Sequence, residues 1–148
     1  MIYIGVDPGK KGAYCSITSH GIEAFPWDDV FFIQHMQSLL ASEDGCVGCV
    51  EKVSAYSGQG RGSIFTFGTE YGFIQGVLQA LGIPFQLVPA NVWKKEYSLV
   101  GKDKKASIDV CRKLFPELNL LPTPKCRVPS DGLAEAALIA EYARRKMG

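Results

Sequence analysis

Two short apolar runs in this chain each stop at a carboxylate. IYIGV, from Ile2 to Val6, is followed by Asp7, and CVGCV, from Cys46 to Val50, is followed by Glu51. Runs this short and this apolar read as buried strands. A charge at the end of a buried strand is costly unless something compensates it. Two such charges on neighbouring strands also repel each other. A bound divalent cation removes both problems. The plainer reading of Asp7 is a turn residue before Pro8-Gly9. Glu51 is harder to dismiss, because its strand is otherwise apolar.

The remaining elements can be placed around these two. Asp7-Pro8-Gly9-Lys10-Lys11-Gly12 is turn chemistry, Ala13 to Thr18 reads as a second strand, and Gly21 to Phe25 as a third. Glycines at both connections make an antiparallel meander natural. A helix follows from Asp28 to Leu40, with Phe32, Met36, Leu39 and Leu40 at helical spacing. Cys46 to Val50 is the fourth strand, and Ser54 to Ser63 is a Ser/Gly-rich loop. Ile64 to Leu81 carries a long helical stripe that Gly82-Ile83-Pro84 stops. Phe85 to Val88 is the fifth strand, Trp93 to Val100 a loop or short helix, and Asp103 to Phe115 a helix. A proline-rich irregular stretch, Pro116 to Pro129, leads to Ser130, a good cap for a last helix from Asp131 to about Lys146. The expected class is α/β: a mixed five-stranded sheet, three antiparallel strands and then βαβ units, flanked by helices. That order resembles the RNase H-like fold. No repeat, linker or second domain is visible, so residues 1–148 are expected to form a single domain.

The last helix adds a third acidic region, Ser130-Asp131-Gly132-Leu133-Ala134-Glu135-Ala136-Ala137. Asp131 and Glu135 are four apart and share one helix face. Their small neighbours let the helix press closely on a sheet. Two strand-end acids facing two helix acids form an oxygen-rich cluster suited to Mg²⁺ or Mn²⁺. Four carboxylates suit two metals about 4 Å apart across a scissile phosphate. One would activate the attacking water and the other stabilise the leaving 3′ oxygen, leaving a 5′ phosphate. Against this, Asp131 also reads as a capping acid at a helix N-terminus, and Glu135 as a partner for a base such as Arg127.

Sixteen basic and fifteen acidic residues give a net charge of +1. Global charge therefore does not announce a nucleic-acid partner, and placement must carry that argument. Lys94, Lys95, Lys102, Lys104 and Lys105 crowd one stretch against only Glu96 and Asp103. Trp93 and Tyr97 beside them are candidates to pack on sugar or base. In the loop after Glu51, Gly58, Gly60 and Gly62 allow close backbone approach to phosphate, Arg61 is a phosphate clamp candidate, and Tyr56 a stacking or wedge candidate. The plainer readings are a solvated lysine run and a flexible loop. Phe65, Phe67, Tyr71 and Phe73 give the long helix more aromatic surface than one face needs, which suits either a dimer interface or a helix wedged in the core.

Five cysteines, an odd number, argue against a disulfide framework. Cys46-x-x-Cys49 has the spacing of half a zinc site but no completing pair, so buried reduced thiols are expected. No apolar run is long enough to span a bilayer, and the opening MIYIGVD lacks the features of a secretory leader. A cytoplasmic location is expected, in a phage or bacterial host, with organelle import open.

Three of these segments resemble one family. IGVDPGKKGA is similar to the first-strand motif of RuvC-type Holliday-junction resolvases, VEKVSAYSGQGRGS to their second acidic strand and following loop, and DGLAEAALIAEYARR to their C-terminal acidic helix in its phage-like form. The resemblance runs nearly the whole chain in the right order. It implies an RNase H-like nuclease, a homodimer that binds four-way DNA junctions and nicks two opposing strands. It implies Asp7, Glu51, Asp131 and Glu135 as metal ligands and Lys94 and Lys105 as the best-matched DNA contacts. It also implies an aromatic near the loop, for which Ser54 is the nearest equivalent position. One departure stands out: better-known bacterial members space the last two acids three apart, and here they are four apart. Rival readings are a nuclease acting on other branched DNA or RNA, a non-catalytic junction-binding protein, and a nucleotide-binding domain. VDPGKKGA also resembles the phosphate-binding hairpin of the actin and sugar-kinase superfamily. Those proteins clamp ATP between two such domains, where this length supplies one.

Overall fold

A computed structural model describes residues 1–9, 11–42, 44–55 and 58–148. The strands are β1 (Ile2–Asp7), β2 (Ala13–Thr18), β3 (Gly21–Pro26), β4 (Cys46–Lys52) and β5 (Phe85–Pro89). The helices are α1 (Asp29–Leu40), α2 (Arg61–Ala80), α3 (Ala90–Glu96), α4 (Lys104–Leu114) and α5 (Asp131–Met147). The sheet runs in the order β3-β2-β1-β4-β5. β1, β2 and β3 pair antiparallel, while β4 pairs parallel with both β1 and β5. This is the mixed α/β sheet expected from the element order.

Two helices begin earlier than their apolar stripes. α2 starts at Arg61, and the amide of Ile64 donates to the Gly60 carbonyl at 2.9 Å. Arg61 and Gly62 thus belong to the first helical turn and not to the loop. The apolar stripe that marks the helix begins only at Ile64, and Arg61, Gly62 and Ser63 before it are exposed, so periodicity misses that turn. α3 starts directly after Pro89, with Trp93 in its middle.

Strand alternation divides the core into two layers. Ile2, Ile4, Val6, Cys46 and Val50 pack with Phe32 and Met36 of α1 and Ile74 and Leu78 of α2. On the other face, Cys15, Cys49 and Val88 pack under α5, with Trp93 of α3 and Cys111 of α4 beside it. Cys46 and Cys49 therefore lie in different layers, which rules out a shared metal. All five cysteines are unpaired thiols. Burial pushes Cys49 up to about 11 and Cys111 up to about 12, so both stay protonated at neutral pH.

Close packing of α5 rests on two glycines. A side chain at Gly5 would collide with the backbone of Ala136 and Ala140, and one at Gly132 with the Lys11 carbonyl. α5 presents Ala134, Ala136, Ala137, Ala140 and Ala143, all fully buried. Small residues on both sides let the helix lie directly on β1, with its first turn against the β1–β2 connection. Ser130 caps α5 by accepting from the Leu133 amide at 3.2 Å.

Candidate active site

The same alternation aims the acids. Since Val6 and Val50 point toward α1 and α2, the next residues, Asp7 and Glu51, point to the α5 side. Parallel pairing aligns Val6 with Val50, so the two acids arrive level at adjacent strand ends. α5 supplies the third carboxylate, Glu135, from one turn beyond its start. One carboxylate oxygen from each of Asp7, Glu51 and Glu135 lies within 4.8 Å of the others, and all three residues are half-buried.

The surroundings of each acid differ. Asp7 is held well above its usual range, first by burial and then by repulsion from Glu51, Glu135 and Asp131, with Lys94 partly opposing. Glu51 is raised mainly by burial, and the Trp93 side chain pulls it back. That side chain is fully buried, and its indole Nε1–H donates to Glu51 Oε2 at 2.8 Å. Glu135 Oε1 accepts from the buried Ser107 hydroxyl at 3.3 Å and lies 3.6 Å from Lys94 Nζ. Its base is therefore Lys94 and not Arg127. Three carboxylates facing one ammonium leave negative charge in excess. An all-oxygen donor set with that excess fits a hard divalent cation such as Mg²⁺ or Mn²⁺.

Asp131 stands outside this group. Its Oδ2 lies 3.5 Å from Lys104 Nζ, and the side chain is 38% exposed. It still lines the same cleft as Asp7 and Glu135, a space of about 270 Å³, and its charge is felt at Asp7.

No protein-family model and no curated protein sequence matches the chain. Solved structures do. T. thermophilus RuvC in complex with a Holliday junction substrate aligns over 100% of this chain and 96% of its own, with a TM-score of 0.63 and 15% identity. A second Thermus thermophilus RuvC structure aligns over 98% of this chain and 96% of its own, with a TM-score of 0.58 and 17% identity. The chain has the RuvC fold.

Within this RuvC-like fold, the lysines divide into two groups. Lys94, Lys102 and Lys104 line the cleft with Asp7, Asp131 and Glu135, and Lys11 joins them from the β1–β2 turn. Lys11, Lys102 and Lys104 are exposed, so they form a cationic rim around the acids. Lys95 on α3 and Lys105 on α4 are exposed outside that lining. Arg61 is exposed at the start of α2. Tyr56 lies outside the described residues.

Two aromatics take a different place from the one expected. Trp93 is buried against the acids, and Tyr97 donates its hydroxyl to the Leu138 carbonyl at 2.7 Å. Trp93 offers no face for sugar or base, and Tyr97 is partly buried with Arg145 over its ring. Both belong to the α3–α5 contact, whose apolar demand outweighs exposure on a short amphipathic helix.

Sequence reasoning missed Lys11, Ser107 and the role of Trp93. Lys11 carried a readable signal, since it follows Asp7 in a tight turn. Ser107 carried none, because its position depends on how α4 crosses α5.

Proposed function

We propose that this protein is a divalent-metal-dependent nuclease that resolves four-way DNA junctions. One observation carries the reading: carboxylates from β1, β4 and α5 converge beneath a rim of lysines, on a fold shared with a RuvC seen with a Holliday junction substrate.

Asp7, Glu51 and Glu135 would hold the cation, with Asp131 lining the same cleft beside Lys104. When bound, the metal would activate water for attack at phosphorus and stabilise charge on the leaving 3′ oxygen. The protein's own groups do the rest. The Trp93 indole holds one Glu51 oxygen. Ser107 and Lys94 hold Glu135. Lys11, Lys102 and Lys104 attract the phosphate backbone to the cleft and set its register, while Lys95, Lys105 and Arg61 extend contact outward. The described lining of the cleft is mostly charged, which supports recognition through the phosphate backbone more than through base reading.

A homodimer follows from the same reading, because paired nicks in opposing strands need two such sites. α2 supports it by leaving Phe65 79% exposed.

Asp7→Asn tests the site. It removes a metal ligand and leaves the lysines in place. Cleavage of a junction with Mn²⁺ should fall roughly 1,000-fold, since a metal supplies several kcal/mol of charge stabilisation. Gel-shift affinity for the junction should stay within a few-fold of wild type. Cleavage at the wild-type rate would remove Asp7 from the chemistry.

A further inference from the structure

We propose that Trp93 is a positioning residue for the metal site: its indole N–H orients the Glu51 carboxylate before any cation arrives. The proposal rests on the metal-site reading above.

An indole N–H can donate but cannot accept, so it holds a carboxylate in one sense only. At 2.8 Å from Glu51 Oε2 it has the length of a charge-assisted bond. Trp93 is 0% exposed, so water does not compete for the proton. Glu51 needs such a partner. Its flexible side chain is repelled by Glu135 and by Asp7, and without a tether it would turn away from both. With one oxygen tethered, the other remains free for a cation in a fixed orientation.

The indole itself is anchored from several sides. Its ring lies 6.4 Å from that of Tyr97, whose hydroxyl is bonded to α5 at Leu138. Glu96, also on α3, pairs with Arg145 at 3.2 Å and Lys146 at 3.1 Å on α5. α3 is thus pinned to the helix that carries Glu135. The Trp93–Glu51 bond ties β4 to that assembly and keeps carboxylates from two elements in register. The other tryptophan, Trp27, donates instead to Asp29 at 2.7 Å, on the surface.

The competing view is a core tryptophan whose N–H merely finds an acceptor. Metal affinity separates the two. In a Trp27→Phe background Trp93 is the sole tryptophan. Incorporating benzothienylalanine then replaces its N–H by sulfur and keeps the bicyclic ring. The Mn²⁺ dissociation constant of DNA-free protein, read by calorimetry, should rise about 10–100-fold, with the far-ultraviolet dichroism unchanged. Junction cleavage at fixed Mn²⁺ should lose kcat and keep KM. Unchanged Mn²⁺ affinity in the analogue, beside clear loss in Glu51→Gln, overturns the proposal and leaves the nuclease reading standing. Weakened Mn²⁺ binding in a protein that cleaves no nucleic acid in either form upholds Trp93 and removes the nuclease reading. If the analogue does not fold, the indole N–H proton resonance of the Trp27→Phe protein decides. It should move upfield on Glu51→Ala, and an unmoved resonance overturns the bond.

Discussion

Asp7 is a residue at which charge is costly. Its folded pKa is raised well above the usual value by burial and by three neighbouring acids. The unfolded chain therefore releases that proton at lower pH than the folded one. Without metal, stability should fall as pH rises from the ordinary carboxylate range through the raised pKa, then level off. Glu51, raised in the same direction, adds to the fall. Asp7→Asn should flatten the profile in chemical denaturation. Mn²⁺ held by these acids would reverse the cost by binding the ionised form. At 100 times its dissociation constant it should add about 2.7 kcal/mol, or roughly 5–10 °C in Tm for a chain of this size. An equal Tm rise in Asp7→Asn would place the cation elsewhere. The lysines act on a different quantity. Lys105→Ala should weaken junction binding and reduce the slope of log K against log salt by about 1. An unaltered slope takes Lys105 out of the interface. Asp7 and Glu51 were legible in the sequence because each interrupts a strand pattern that is apolar up to that point. Trp93 was not, since an aromatic among lysines looks the same whether it faces DNA or the core. Only the docking of α3 on β5 and α5 reveals that it faces a carboxylate.

At the scale of elements, α5 does the most to build the site. It lies on β1 without intervening side chains because Gly5 and Gly132 leave room for its backbone. Gly5→Ala should push the helix off the strand and cost about 1–3 kcal/mol, as overpacking of a tight core does. Glu135 would move with it, so cleavage should fall further than folding stability explains at temperatures where the variant is still folded. Denaturant midpoints and cleavage rates on the same preparation would check this. Full activity in a destabilised variant would separate the α5–β1 contact from the site. The alanine run in α5 announced close packing in advance. The two acids on its first turns did not announce which would join the cluster. Glu135, one turn further into the helix, meets the strand-end acids, while Asp131 at the first helical position pairs with Lys104. The early start of α2 was hidden for a related reason: its first turn faces solvent and carries no core residue.

The whole molecule was the most legible level. Three hairpin-connected strands followed by βαβ units admit few sheets, and in the observed order β3-β2-β1-β4-β5 the chain passes from the β3 edge through α1, past β2 and β1, to set β4 beside β1. The two acid-ended strands become neighbours in that order, and this adjacency is what turns separate carboxylates into one site. None of the helices among the described residues is long and apolar enough to cross a membrane. A homodimer cannot be read from one chain's pattern, because an exposed aromatic such as Phe65 has no partner in the sequence to count against. The direct measurement is cleavage of a synthetic four-way junction, with linear duplex and splayed-arm controls, in Mg²⁺, in Mn²⁺ and in EDTA. Paired nicks in opposing strands near the branch point are expected, present with either metal and absent in EDTA. Binding without cutting in any metal, or cutting of the controls while the junction survives, would contradict the proposed function.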